Sequence, residues 1–279
     1  MCPIKPNRHA LFFHASPPPF ARTLLCGFVA SLYTCHAGVV FQFEAQKNVA
    51  ATGSNLVWTS IGRGDSANLP QLVADATEWQ AVKENGFAGV ANAAGASAGP
   101  LRFADGTTDT NTVVRHIVAV VRCAPALRGR ETLFCGEILY RTSGRPHNNP
   151  EGNAVAYLDT SRFCEVAWKI DGVEGAPLLA GMTHLLEIEF SRDVTLHTLG
   201  IGSDTGRREW LRGWGGAFHE FLGFSETPPM DARLAVNHYL NLKWKLGLDL
   251  PRASTGQVQS ARELGAHFGP YFGSLLIVR

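Results

Sequence analysis

Apolar and polar residues alternate in short segments along most of the chain beyond residue 38. In THLLEIEF (183–190), the even-numbered positions from His184 to Phe190 share one face, and Glu187 and Glu189 share the other. Side chains alternate sides along a β-strand, so this pattern predicts a strand with one buried and one solvated face. We therefore expect Glu187 and Glu189 to lie in solvent.

Three further segments predict strands. Two of them alternate between apolar and polar residues, and one is an almost continuous apolar run. VVFQFE (39–44) alternates, whereas HIVAVVR (116–122) is almost continuously apolar, as expected for a strand that is covered on both sides. FCEVAWKIDG (163–172) alternates and ends in Asp-Gly, the dipeptide that favours a type I′ hairpin turn. These segments predict antiparallel strands, some of them joined by tight turns.

The segment AFHEFLGF (217–224) is also predicted to be a strand, with Phe218, Leu222 and Phe224 on one face around Glu220. Turns rich in Gly, Pro and Asn separate the strands, and no alternation of strands with helices is visible. The predicted fold class is therefore all-β, a two-sheet antiparallel β-sandwich.

One segment, TPPMDARLAVNHYLNLKWKLG (227–247), has helical periodicity instead. Its apolar face is formed by Ala232, Ala235, Val236, Tyr239, Leu240 and Lys243 or Trp244. Thr227 can cap the first turn, and Pro228 fits the first helical position. Gly247 suits the C′ position, just after the C-terminal end of the helix. The sequence thus predicts one short C-terminal amphipathic helix packed on the sandwich.

Composition narrows the classes of function. The 279 residues are 45% hydrophobic and 18% charged, which is typical of a folded globular protein. Lys and Arg total 25 against 24 acidic residues, so the chain has almost no net positive charge that would attract nucleic acid. The sequence has no phosphate loop, dinucleotide fingerprint, nucleophile elbow or paired-histidine zinc motif.

The N-terminus has the pattern of a secretory signal peptide. Basic residues such as Lys5 and Arg22 precede the apolar run TLLCGFVASLYTC, and small residues at Cys35 and Ala37 suit cleavage before Gly38. We expect residues 1–37 to be removed and the mature protein to be secreted or displayed at the cell surface. The run is too short to span a membrane as a helix. The alternative is an N-terminal extension without a targeting role.

Cleavage before Gly38 would leave Cys123, Cys135 and Cys164. Three cysteines allow at most one disulfide bond and leave one free thiol. Cys123 and Cys135 flank the predicted hairpin loop APALRGRE (124–131), but symmetric pairing would place Cys135 opposite Val120, so a bond between the two cysteines is not favoured.

The chain up to residue 248 carries a family resemblance. Its last part contains a Gly-rich turn, a strand with an acidic residue and a helix with a Tyr-Leu and Lys-Trp ending: Gly215-Gly216, Glu220, Tyr239-Leu240 and Lys243-Trp244. These features resemble the laminin-G-like domains of the concanavalin A-like lectin/glucanase superfamily, in particular its bacterial secreted branch. The resemblance implies a jelly-roll domain over 38–248. Residues 249–279 lie outside it as an extension of unknown role.

The resemblance implies a lectin-like binding module that recognises carbohydrate or a glycosylated or protein partner without catalysis. Two alternatives stay open, a glycoside hydrolase of the same fold and a structural module of a larger surface assembly. Related glucanases carry acidic residues at alternate positions of one strand, where one can attack and another can donate a proton. The nearest candidates, Glu187, Glu189 and Asp193, miss the Glu-x-Asp-x-x-Glu spacing, so we predict no catalytic residue.

The longest polar insertion, YRTSGRPHNNPEGN (140–153), supplies the candidate ligand-binding residues. They are Arg145, His147, Asn148 and Asn149, whose planar, multiply bonding groups suit sugar hydroxyls. A solvated linker rich in Gly and Pro is the alternative interpretation.

Calcium is the one cofactor that the resemblance suggests, because some relatives hold it with loop oxygens. Here the oxygen-rich loops offer Asp105, Asp109, Asn111 and Asp204. Asp and Asn also serve turns by bonding their own backbone, so these loops predict calcium only as a possibility.

The tripeptide in GRGDS (62–66) matches a cell-adhesion signal. It follows an early strand, where the resembled family has a Gly-rich loop, and its glycines suit a turn. We interpret it as a turn.

Overall fold

The structure is a computed structural model of the chain. It describes residues 38–61, 69–84, 86–93, 99–105, 108–110, 112–125, 131–136, 140–143, 155–158, 166–200 and 212–268. The described residues belong to one compact unit that begins at Ala37.

Strands make up most of this unit. They are β1 (Val39–Glu44), β2 (Val49–Thr52), β3 (Asn55–Thr59), β4 (Gln71–Asp75), β5 (Trp79–Glu84), β6 (Phe87–Asn92), β7 (Leu101–Asp105), β8 (Thr108–Asp109), β9 (Thr112–Arg122), β10 (Glu131–Gly136), β11 (Tyr140–Ser143), β12 (Val155–Leu158), β13 (Val166–Ile170), β14 (Val173–Glu174), β15 (Thr183–Leu199), β16 (Arg212–Gly213) and β17 (Ala217–Phe224). Two helices follow in the described part, α1 (Met230–Lys243) and α2 (Thr255–Glu263).

Hydrogen bonds connect the 17 described strands into one sheet, with antiparallel pairing throughout except between β10 and β16. The long strand β15 pairs with β9 and β13 along its first half. Its register shifts between Glu189 and Val194, and its last residues pair with β7 and β10. The all-β prediction is confirmed. The finer prediction of two separate sheets is not, because these pairings link all described strands.

Strand β9 lies between two apolar cores. Ile117, Ala119 and Val121 belong to the core that contains most of the large aromatic side chains. Val118 and Val120 face the second core, which the helices cover. Burial of both faces, predicted from the apolar run, is confirmed, and each large side chain buried there contributes about 1.5–3 kcal/mol.

The hairpin between β13 and β14 turns at Asp171 and Gly172, whose φ angles are 56° and 83°. Two successive positive φ angles are the signature of the type I′ turn. Asp171 accepts the left-handed conformation because its carboxylate also bonds the backbone N–H of Leu185 at 2.9 Å. The predicted hairpin is confirmed.

Helix α1 buries the face that its periodicity predicts, with Ala232, Ala235, Val236, Tyr239 and Leu240 all at most 2% exposed. Its predicted start is wrong. The cap position is Pro229, without a side-chain cap, and the helix begins at Met230.

The hydroxyl of Thr227 donates to Glu189 Oε1 at 3.2 Å instead of capping the helix. The predicted stop at Gly247 is also wrong. The C-cap is Trp244, and Lys245, which follows it, has the positive φ of 50° that ends α1; Gly247, with φ 73°, lies two residues further on.

The prediction of a single helix is also wrong. Helix α2 lies in the C-terminal extension, where Ser254 and Gln257 form a capping box. Val258 and Ala261 are buried in the core shared with α1. Two apolar positions in nine residues are too few for periodicity to reveal this helix.

Hydrogen bonds also connect the C-terminal extension to β1. The side chain of Gln42 bonds both backbone groups of His267, at 2.8 and 3.0 Å, and the N–H of Val39 donates to the carbonyl of Leu264 at 2.8 Å. The described part of the extension, to residue 268, is therefore an integral layer of the domain.

Strand β17 departs from simple alternation. Its pairing with β9 shifts between Phe218 and Glu220, the sign of a β-bulge at His219. Phe218 and Phe221 consequently share the aromatic core, while Leu222 faces the helices. The prediction that Phe218 shares a face with Leu222 is wrong, because the extra residue reverses the alternation.

Candidate functional site

The predicted ligand residues Arg145, His147, Asn148 and Asn149 lie outside the described residues. The same holds for the GRGDS segment at 62–66. For calcium, Asn111, Asp204 and the side chains of Asp105 and Asp109 also lie outside the described part. These remain predictions.

Helix α1 carries a cation near each end, and each cation meets two carboxylates of the sheet. We call the first group the sealed network. Glu44 of β1 and Glu220 of β17 lie opposite each other in register. Lys243 Nζ lies 2.6 Å from Glu220 Oε2 and 3.0 Å from Glu44 Oε2. The ammonium therefore offsets the repulsion between two carboxylates that face each other across antiparallel strands.

Neutral donors complete the sealed network around Glu220. Trp244 Nε1 donates to Glu220 Oε2 at 2.8 Å, and Gln42 Nε2 donates to Glu220 Oε1 at 2.7 Å. Desolvation raises the pKa of Glu220. Desolvation acts to lower the pKa of Lys243, but the nearby acidic groups, Glu220 foremost, outweigh it and the pKa is raised.

The sealed network offers no access to a ligand. Relative exposure is 0% for Glu220 and 1% for Glu44, and the Lys243 side chain is 2% exposed. Glu220 and the Lys-Trp pair, which carry the family resemblance, thus contact one another as a structural link between the end of α1 and the sheet.

The second group, which we call the open cluster, lies at the first turn of α1. Arg233 donates from Nε to Glu187 Oε1 at 2.6 Å and from Nη1 to Glu189 Oε2 at 3.2 Å. Asn237, one turn further along, donates to Glu187 Oε2 at 2.7 Å. A single guanidinium thus joins two alternate carboxylates of β15.

The open cluster corrects the expectation that both glutamates lie in solvent. Glu187 is only 6% exposed, because α1 covers this face of β15. The side chain of Glu189 is 38% exposed, because α1 covers it less completely. Sequence alternation identified the shared face of the two carboxylates but not the helix above it.

Burial and neighbouring charges shift the pKa values of the open cluster in opposite directions. Desolvation acts to raise the pKa of Glu187, but Arg233, His116 and the hydrogen bonds outweigh it, so the pKa is lowered. Glu187 is therefore ionised at neutral pH. His116 lies 3.6 Å from Glu187 and is fully buried. Desolvation lowers the pKa of His116 to about 4, so its imidazole is neutral.

A cleft of about 240 Å³ opens beside the cluster. The residues that line it come from β13, from its neighbours β14 and β15, and from the first turn of α1. The charged side chains of the lining are Lys169, Glu174, Glu187, Glu189 and Arg233, and Met230 adds an apolar one. Donors and acceptors therefore share one concave surface.

Sequence analysis identified Glu187 and Glu189 but missed Lys169 and Arg233 as parts of a site. Arg233 and Asn237 are four residues apart and so share one side of α1, a polar stripe that could have been noticed. Their partners on β15 are more than 40 positions away, and no local spacing relates the two elements.

The described part of the chain contains no group of three or more metal-binding side chains. Within it, no helix is long and apolar enough to cross a membrane. Cys123 is buried. Comparison with family models, curated proteins and solved structures gives no match.

Proposed function

We propose that this protein is a secreted or surface-displayed, lectin-like binding module that recognises carbohydrate, or a glycosylated or protein partner, without catalysis. The observation that carries the proposal is the cleft beside α1, which is lined by hydrogen-bond donors and acceptors, among them Glu189 held by Arg233. The proposal includes the laminin-G-like relationship, the two-sheet jelly roll and removal of residues 1–37.

A sugar ring presents hydroxyls that both donate and accept hydrogen bonds. The cleft meets such groups with carboxylate acceptors at Glu174 and Glu189 and a donor at Lys169. Arg233 holds Glu189 through one charged hydrogen bond of 3.2 Å, so this acceptor is positioned before a ligand arrives. Preorganised polar groups lose less conformational entropy on binding.

The arrangement favours binding over glycoside hydrolysis. A hydrolase needs one carboxyl group that is protonated at working pH and a second that is ionised. Glu187 is ionised and its oxygens are engaged by Arg233 and Asn237. Glu220, the carboxyl group with a raised pKa, is sealed beneath α1.

A glycan array tests the proposal against its two alternatives. The purified protein is expected to bind a subset of glycans and to release no reducing sugar from β-glucans. Sugar release would favour the hydrolase, and failure to bind any glycan or glycoprotein would favour a structural module. Calcium dependence is tested on the same array by adding a chelator.

Export is tested separately by sequencing the N-terminus of the exported protein. We expect it to begin at Gly38. A mature protein that still carries residues 1–37 would contradict the signal-peptide prediction.

A further inference from the structure

The charge balance of the cleft limits the kind of ligand that it can hold. Arg233 is already neutralised by two carboxylates. Lys169 lies opposite Glu174 on β14 and Glu187 on β15. Among the described residues, neither the Lys169 nor the Glu174 side chain has a hydrogen bond or an ion pair. The lining groups without a partner are therefore one ammonium and one carboxylate, and Glu189, which Arg233 and Thr227 hold, is a partly exposed acceptor of the same cleft.

Both signs of charge line the cleft, so a charged ligand of either sign would meet a like-charged group. A uronic acid or sialic acid would meet the carboxylates of Glu174 and Glu189, and an amino sugar would meet the ammonium of Lys169. Each would also lose hydration on entering the cleft. A neutral ring has hydroxyls that can donate to the carboxylates and accept from Lys169 at the same time.

The dimensions of the cleft limit the ligand further. Its volume of about 240 Å³ lies below the range of roughly 300–1,000 Å³ that is common for pockets holding drug-sized molecules. The side chain of Met230, 57% exposed at the margin, offers an apolar contact for the C–H face of a sugar ring. One ring fits, and further sugar units would extend into solvent.

We infer that the cleft formed by β13, β14, β15 and the first turn of α1 binds a single neutral hexose ring of a glycan, held between Lys169 and Glu189. This inference rests on the proposed function and assigns its ligand class. It assigns recognition to residues other than those of the predicted loop at 140–153.

The test uses the full protein and methyl glycosides of glucose, galactose and mannose, with glucosamine and glucuronate as charged probes. Binding is measured by ligand-observed NMR and calorimetry. We expect at least one neutral hexoside to bind and both charged sugars to bind more weakly. Tighter binding of glucosamine or glucuronate than of every neutral hexoside would overturn the inference.

Four variants locate the binding. Glu189→Gln and Lys169→Met should each weaken binding of the neutral hexoside about tenfold or more, since each removes a hydrogen bond to a charged group. Glu263→Gln on α2 and Lys245→Met after α1 make the same chemical changes on exposed side chains away from the cleft. These two controls should bind as the unmodified protein does, and thermal unfolding checks that all four fold.

The results separate this inference from the proposed function. If glycans bind on the array but the cleft variants bind like their controls, the protein is a lectin with its site elsewhere, and the inference is wrong. If no glycan or monosaccharide binds, both fail.

Discussion

The two ends of α1 make a natural comparison. Each end brings one cation, Lys243 or Arg233, to two carboxylates of the sheet. At the C-terminal end the group is sealed, with every side chain at most 2% exposed. At the N-terminal end the Arg233 side chain is 13% exposed and that of Glu189 is 38% exposed.

The difference follows from where the helix ends relative to the strands. The ammonium of Lys243 lies over the rings of Tyr239 and Trp244, and Phe268 of the C-terminal extension packs against Tyr239. The side of β13 that carries Ala167 and Lys169 lies beyond α1 and stays uncovered. Similar ionic chemistry therefore stabilises the fold at one end and presents binding groups at the other.

The largest effect is expected from Lys243→Met, which leaves Glu220 buried without its cation, while Glu44 keeps its ion pair with Lys47 at 3.1 Å. Breaking a buried ion pair in this way costs about 3–5 kcal/mol of unfolding free energy. Urea denaturation measures it, with Lys245→Met as the exposed control, expected within about 0.5 kcal/mol of the unmodified protein. Equal stability of the two variants would show that Lys243 is not the counterion.

The next effect concerns pH and the buried imidazole of the open cluster. The pKa of His116 is about 4 in the folded protein against 6.5 as its ordinary value. The unfolded chain binds more protons between these values, so the contribution of His116 to stability is present above pH 6.5 and is lost as the pH falls towards 4. The full shift corresponds to about 3 kcal/mol.

His116→Phe isolates this contribution. Glu220, with its raised pKa, contributes a slope of opposite sign, so the informative quantity is the difference in unfolding free energy between variant and unmodified protein. That difference should change between pH 6.5 and pH 4. A constant difference across this range would mean that the pKa of His116 is the same in the folded and unfolded protein.

A smaller effect is expected from Arg233→Leu, which breaks the open cluster. Glu187 keeps its hydrogen bond from Asn237, and Glu189 can be hydrated from the cleft. We expect a loss of about 1–3 kcal/mol, less than for Lys243→Met, by the same urea titration. If Arg233→Leu proved the more damaging of the two, the distinction between sealed and open groups would be wrong.

The smallest effect on stability is expected from Glu189→Gln. The side chain is partly solvated, and exposed ion pairs of this kind contribute about 0–1 kcal/mol. Thermal unfolding should therefore change little, while binding of a neutral hexoside falls. A large drop in melting temperature would instead make Glu189 a structural residue.

Much of the fold could be predicted from local pattern. The strand segments, the buried face of α1 and the Asp171-Gly172 turn follow from side-chain periodicity and turn chemistry, which are properties of neighbouring residues. The bulge at His219 could not be predicted, because inserting one residue into a ladder depends on the partner strand. Helix α2 also gave too weak a pattern, since its stability comes from packing against α1.

For the candidate site, the sequence by itself determined that Glu187 and Glu189 share one face of a strand. Only the tertiary structure decided that α1 lies over Glu187, that Arg233 joins the two carboxylates, and that Lys169 faces an open cleft. The reason is physical. Period and turn type are set by residues adjacent in the chain, whereas solvent access and charge pairing depend on elements that meet only after the chain has folded.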